Sequence, residues 1–345
     1  MQQVAIIGLG LIGSSIGLGL RRWSAAQGGA LRLVGFDTDM PRQQQAQRLG
    51  ALDDTQWSLS RAVADADLVV IATPVGATQA VLSDIGPALK PGAVVTDTGS
   101  TKADVLQWAE RLIPDHVSFV GGHPMAGKAE SIEAAEADLF SGATWCVCPS
   151  VRASEEAVTT VLGMINALGA ESFFVDPTEH DAYVGGVSHL PFIVSAALMV
   201  SLVRDPSWRD MRTLSASGFR DTTRLALGSP QMHRDILLTN RESVLRWIGQ
   251  LTATLDDLQS ALTRSDPDAA SSEVERFFNQ ARDARVEWAV QEQRSSEQRP
   301  ATADELSRER MGEQMSRMFL GGFGRRRRLG REGQEKPAKM RDDRR

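Results

Sequence analysis

Gln3-Val4-Ala5-Ile6-Ile7-Gly8-Leu9-Gly10-Leu11-Ile12-Gly13 decides the fold: five residues of strand run directly into three glycines, and Ser14-Ser15-Ile16-Gly17-Leu18-Gly19-Leu20 follows at helical spacing. A Gly-x-Gly-x-x-Gly turn between a strand and a helix is the dinucleotide fingerprint in its working context. Gly8 makes the tight turn, Gly10 lets the backbone approach a pyrophosphate, and Gly13 lets the helix pack closely on the strand. The helix start, with Leu11 and Ile12, offers unpaired amides to the negative charge. The alternative is a structural glycine-rich turn.

Outward from this turn, the next strand, Leu31 to Phe36, ends on Asp37, 24 residues beyond Gly13. A carboxylate there accepts hydrogen bonds from the adenosine ribose and repels a 2′-phosphate, so the expected cofactor is NAD rather than NADP. The alternative is an exposed turn aspartate. Asp67 to Ala72 and Ala93 to Asp97 are further apolar runs suited to parallel strands covered on both faces. In open sheets of this kind ligands bind outside the carboxyl ends of the strands. That rule gathers Thr73-Pro74, Ser100 and His123 into one crevice with the glycine turn. Ser100 also has a second reading, as the cap of a helix starting at Thr101-Lys102. Thr144 to Cys148 and Glu171 to Val175, with a helix over 154–168 between them, complete the expected sheet. Cys146 and Cys148 read as small apolar fillers of a strand, not as a disulfide or a metal site.

Within Phe119-Val120-Gly121-Gly122-His123-Pro124-Met125-Ala126-Gly127, a strand runs into paired glycines and a histidine held extended by the proline after it. The glycines are expected to let the backbone pass close to a ligand. His123 is the candidate general base, because an unperturbed imidazole titrates near neutral pH. The alternative is a histidine that caps a turn.

With 345 residues, 42% hydrophobic and 24% charged, the chain has room for two globular domains. From Gln291 to the end there are 15 Lys+Arg against 10 Asp+Glu, so of the totals of 38 and 44 the first 290 residues keep 23 and 34, a net of −11. So acidic a body argues against a nucleic-acid partner. Leu190 to Val203, at 14 residues, is shorter than the roughly 20 that cross a bilayer. No secretory signal precedes Val4, and no metal-ligand cluster is apparent, so a cytoplasmic, metal-free protein is expected.

After Asp176-Pro177 strand signals give way to helices, expected over 178–202, 207–225, 231–239, 241–262 and 269–290. The domains expected are a Rossmann-type, doubly wound α/β domain over 1–175, an all-α dimerisation domain over 176–290, and a mostly disordered basic tail over 291–345. Arg220 and Arg224, four apart, share a helix face and suit a carboxylate substrate. Ion pairs with Asp221 or Asp181 are the alternative. In the tail, Met311 to Phe323 is an apolar island before four arginines, either a docking element or part of a solvated tail.

Five blocks, taken together, resemble one family, the prephenate/arogenate (cyclohexadienyl) dehydrogenases of tyrosine biosynthesis. They are Gly8 to Ser15, Asp97-Thr-Gly-Ser-Thr-Lys102, Val120 to Gly127, His180-Asp181 with Ser188-His189-Leu190-Pro191, and Gly218-Phe-Arg-Asp-Thr-Thr-Arg224. They run in family order over roughly residues 1 to 265. The resemblance implies an NAD-dependent oxidative decarboxylation in a homodimer, with a small-molecule substrate. By that resemblance His123 accepts the proton of the ring hydroxyl, and Ser100 bonds the same hydroxyl and orients His123. Arg224 binds a substrate carboxylate with Arg220 in support, and His180, Asp181, Ser188 and His189 line the helical wall. One position departs: many members carry histidine where this chain has Phe192, which leaves both prephenate and arogenate as candidate substrates. Two other readings are a hydroxyacid dehydrogenase of similar plan and a non-catalytic NAD-binding regulator.

Overall fold

The computed structural model describes residues 2–27, 31–127 and 131–297. Its first half is an eight-stranded sheet: β1 (Gln3–Ile7), β2 (Arg32–Phe36), β3 (Asp54–Thr55), β4 (Leu68–Ile71), β5 (Val94–Asp97), β6 (Ser118–Pro124), β7 (Thr144–Pro149) and β8 (Glu171–Phe174). The strands lie in the order β3-β2-β1-β4-β5-β6-β7-β8. Helices α1 (Leu11–Ala26), α2 (Met40–Arg48), α3 (Leu59–Val63), α4 (Val75–Ile85), α5 (Ala103–Leu112) and α6 (Glu155–Ala167) connect them. Every pairing is parallel except β6 with β7. A parallel neighbour needs a crossover connection. Between β6 and β7 the described residues supply only a one-turn 3-10 helix, Ile132–Ala134, so β7 returns antiparallel with His123 opposite Cys146. Both cysteines are buried free thiols, and burial lifts the Cys146 pKa to about 11.

The second half is helical: α7 (Pro177–Val184), a π turn (Gly185–His189), α8 (Leu190–Val203), α9 (Trp208–Met211), α10 (Ser217–Thr223), α11 (Pro230–Thr239), α12 (Arg241–Leu262) and α13 (Pro267–Glu297). Two expectations change here. The helix expected over 207–225 is broken, because Thr213 and Ser215 hydroxyls donate to the carbonyls of Asp210 and Arg212 at 2.6 and 2.7 Å. Such local bonds offer the backbone an alternative to the helical ladder. The helix expected over 269–290 extends instead to Glu297, into the segment read as tail. The apolar island at 311–323 and the arginines after it lie outside the described residues.

The helix expected over 178–202 runs on as one rod from Pro177 to Val203, but it contains the π turn. Gly185 and Gly186 are its sequence signal: a Cβ on Gly186 would meet Trp247 Cε2 at 2.7 Å. The wide turn changes which backbone groups pair. Side chains take up two carbonyls beside it: Trp247 Nε1 donates to Ala182 O at 2.9 Å and Asn240 Nδ2 to Asp181 O at 2.7 Å. The rod has 27 residues, and its most apolar stretch of 18, with a mean hydropathy of 1.9, is long and apolar enough by composition to cross a membrane. It buries His180, Asp181 and His189 against other elements of the chain, but in α8 only Phe192 and Ser195 are buried, and 17% of the apolar stretch is covered within the chain.

Candidate active site

The carboxyl ends of β5 and β6 meet over a buried ion pair. Asp97 closes β5, and Lys102, wholly buried, donates from Nζ to its Oδ2. The same carboxylate accepts from Gly99 N at 2.8 Å and Gly122 N at 3.1 Å, so it fixes both the loop carrying Ser100 and the strand end carrying His123. The space beside the paired glycines is filled by protein and not by a ligand: a Cβ on Gly122 would meet Asp97 O at 2.5 Å and Trp145 Nε1 at 2.8 Å. Their role is close packing.

His123 is buried at the end of β6, and its Nδ1 lies 2.9 Å from His180 Nε2. His180 Nδ1 in turn lies 2.8 Å from Asp181 Oδ1. Asp181 also accepts from Lys102 N at 2.7 Å and Ala103 N at 2.9 Å, capping α5 from α7. A carboxylate only accepts, so the protons in this row are assigned in one direction. His180 donates from Nδ1 to Asp181, so its Nε2 accepts from His123 Nδ1–H. That leaves the His123 Nε2 lone pair without a bond to any described residue. Burial first, then His180, Lys102 and His189, hold the His123 pKa well below that of an ordinary imidazole. The ring is neutral at neutral pH, as a proton acceptor must be.

This placement bears on two expectations. His180 and Asp181, expected on the substrate wall, are buried, with polar atoms bonded to His123 and to the first amides of α5. Ser100 does not cap α5, whose N-cap is Lys102 and whose first amides go to Asp181. Ser100 remains half-buried at the β5 exit, beside His189. His189 closes the π turn and is fully buried; desolvation lowers its pKa to about 4 against the opposing pull of Asp181. Ser188 is half-buried in the same turn. Phe192 stacks on His233 with centroids 4.2 Å apart and planes 3° apart. Arg220 and Arg224 are exposed and enter no ion pair among the described residues, so neither acid proposed for them is a partner. Arg224 opens a 3-10 turn, Arg224–Leu227, pinned to α8 where Ala226 N donates to Ser195 Oγ at 3.0 Å.

The glycine turn fits a dinucleotide. Gly8 has φ +93° and no room for a Cβ, which would sit 2.6 Å from Ala72 O, while a Cβ on Gly13 would sit 1.9 Å from Gly8 O. Beside Gly10, the start of α1 at Leu11 and Ile12, a Cβ would meet nothing within 4 Å, so the open side is the ligand's. Asp37 is buried, not an exposed turn residue; its Oδ2 accepts from Leu9 N at 2.8 Å and its Oδ1 from Asp39 N at 2.8 Å, leaving a lone pair on each oxygen. Thr73, just after β4, holds a buried Oγ1 with no partner among the described residues, and Pro74 is the N-cap of α4 beside it.

Sequence reasoning gave no role to Asp97, Lys102 or Asn240. The first two had a signal, an acid ending an apolar strand with a lysine five residues on. Asn240 had none beyond its place between two helices.

Two family profiles match. "Prephenate dehydrogenase, nucleotide-binding domain" covers residues 16–174, and "Prephenate dehydrogenase, dimerization domain" covers residues 176–279. The prephenate dehydrogenase of Bacillus subtilis (strain 168) is 32% identical over 285 residues, 82% of this chain and 75% of that one. A crystal structure of prephenate dehydrogenase from A. aeolicus, in complex with hydroxyphenyl propionate and NAD+, is 29% identical with a TM-score of 0.76, covering 83% of this chain and 98% of that one. Synechocystis arogenate dehydrogenase is 28% identical with a TM-score of 0.69, covering 83% and 100%.

Proposed function

Because the chain belongs to the prephenate dehydrogenase family, we propose that it catalyses the NAD-dependent oxidative decarboxylation of prephenate to 4-hydroxyphenylpyruvate in tyrosine biosynthesis. The observation that carries this reading is the row Asp181–His180–His123, which leaves one unprotonated nitrogen unbonded at the end of β6. Bound NAD+ supplies the hydride acceptor; Gly8, Gly10, Gly13, the start of α1, Asp37, Thr73 and Pro74 would hold it. His123 accepts the ring 4-hydroxyl proton at Nε2 as the C–H bond on the same carbon breaks. CO2 then departs from the ring, and the electron pair it leaves behind completes the aromatic ring as a phenolate. His123 returns its proton to that oxygen. Prephenate and NAD+ thus give 4-hydroxyphenylpyruvate, CO2 and NADH with no proton left over.

Ser100 is assigned to the reacting hydroxyl, and Arg224 with Arg220 to a substrate carboxylate, because the two guanidinium groups are exposed and without acid partners among the described residues. Ser188 and His189 are the polar groups of the helical wall. A second reading is arogenate as substrate, favoured by Phe192, which puts a ring where many relatives carry a polar side chain. A non-catalytic regulator would have no use for a base held in one tautomer. The helical half over 176–290, which leaves Leu245, Leu255 and Leu262 exposed, would pair with a second copy to form a homodimer, separate in role from the cofactor domain over 1–175. The cytoplasm, where other soluble biosynthetic enzymes work, is the location assigned to it.

The test is NADH formation by purified protein offered prephenate or arogenate, each with NAD+ or NADP+. Turnover of prephenate with NAD+ is the expected result. Turnover of arogenate alone moves the chain to the second reading, and cofactor binding without turnover of either substrate overturns both.

A further inference from the structure

Asn240 stands at the N-cap of α12, a position where an asparagine side chain ordinarily accepts from the first amides of its helix. Here the side chain makes no such cap. Its amide nitrogen is turned away, donating to Asp181 O at 2.7 Å and lying 3.1 Å from His189 Nδ1. A backbone carbonyl can only accept, so the first contact fixes which end of the amide is nitrogen. The second contact then has a donor on the asparagine side, and His189 Nδ1 must accept it. In a neutral imidazole the proton therefore sits on Nε2. That atom is buried and has no hydrogen-bond partner of ordinary geometry among the described residues; the Ser100 backbone is close enough to favour a charge on the ring but does not bond it well. A buried N–H left without an acceptor is costly and uncommon.

We propose that Asn240 is a positioning residue that holds His189 in its Nε2–H tautomer, so that His189 donates a hydrogen bond to an oxygen of the bound substrate beside Ser100. The site then pairs two neutral histidines of opposite sense: His123, made an acceptor by Asp181 through His180, and His189, made a donor by Asn240. Both settings meet at Asp181, whose side chain orders the first and whose carbonyl orients the amide that orders the second. The role rests on the dehydrogenase reading above, while the tautomer does not.

The experiment is long-range proton–nitrogen correlation NMR on full-length protein labelled with 15N-histidine, which is tractable because the chain has five histidines. The His189 signals are assigned by their loss in His189→Gln. The expected result for the free wild type is a proton on Nε2. A proton on Nδ1, or on both nitrogens, at neutral pH overturns the proposal whether or not Asn240→Asp folds. Asn240→Asp keeps the shape but replaces the donor by an acceptor, which should move the proton to Nδ1. It should also lower kcat/KM for the substrate roughly 10- to 100-fold, the cost of removing one buried hydrogen bond, with NAD+ affinity unchanged. Unchanged kcat/KM with the proton moved, or an unmoved proton, overturns the role of Asn240. A wild type that turns over neither prephenate nor arogenate sinks the reaction and the donor's role with it, and the NMR result tells that failure apart from a wrong tautomer.

Discussion

The sheet half and the helical half bury their apolar residues in different ways. β1, β4 and β5 are buried almost end to end, and the core beneath them closes within the chain. In α12, by contrast, 22 residues bury only Val244 and Ala261. Leu245, Ile248, Leu255 and Leu262 are exposed within an arc of about 100°. An apolar stripe of that kind on a stable helix requires a cover. The same contrast divides the site. The proposed base, with its row of hydrogen bonds, is held inside one chain, whereas the arginines assigned to the substrate carboxylate stand in the open.

The largest expected effect lies on the uncovered side. Leu245→Glu with Leu255→Glu should convert a dimer to a monomer in analytical ultracentrifugation, while the sheet half keeps its NAD+ affinity. A dimer of unchanged mass would mean that α12 is covered by something else. On the closed side, His123→Asn should reduce turnover by roughly 10²- to 10⁴-fold, the contribution of a general base, without changing NAD+ affinity. Near-normal turnover would remove His123 from the chemistry. His180→Leu takes away the acceptor for His123 Nδ1–H and should lower kcat roughly 10- to 100-fold with KM little altered. A raised KM at constant kcat would instead return His180 to the substrate wall.

The pH dependence follows from the same burial. His123 must be unprotonated to act, and its depressed pKa puts the acid limb of kcat/KM below the ordinary imidazole value of about 6.5. Stability has the same sign. His123 and His189 are neutral when folded and bind protons more readily when unfolded, so stability is level above about pH 6.5 and falls as the pH drops. For His189 the fall continues to about pH 4, at roughly 1.4 kcal/mol per unit. A melting temperature that rose on acidification would contradict the neutral assignment.

What was legible in the sequence follows the same division. The glycine turn, the strands and the terminal His123 could be read because a parallel sheet imposes continuous apolar runs and its ligands gather at strand ends. The relay could not, because His123 and His180 lie 57 positions apart and no local spacing links them. The π turn was hidden for a related reason: its glycines look like ordinary helix punctuation until Trp247 of α12 is seen packed against them. Asn240 was least visible, since its usual role as a helix cap is the one it does not perform.

The smallest expected effect tests where the two halves meet. Phe192 is buried on α8 and stacked flat on His233, whose ring occupies the space over Gly228, where a Cβ would sit 2.6 Å from it. Gly228 directly follows the turn that Arg224 opens, so the stack lies next to the segment assigned to the substrate carboxylate. Phe192→His keeps a flat ring in the stack and adds a hydrogen-bond donor. Such a donor favours an acceptor such as the keto oxygen of prephenate over the ammonium of arogenate. The ratio of kcat/KM for prephenate to that for arogenate should therefore rise about 3- to 10-fold, as one added hydrogen bond of about 1 kcal/mol allows. Competition between the two substrates measures that ratio directly and is insensitive to the amount of active enzyme. A ratio that falls would mean that the stack faces another part of the substrate; one that stays fixed while both rates drop would confine Phe192 to packing α11 against α8.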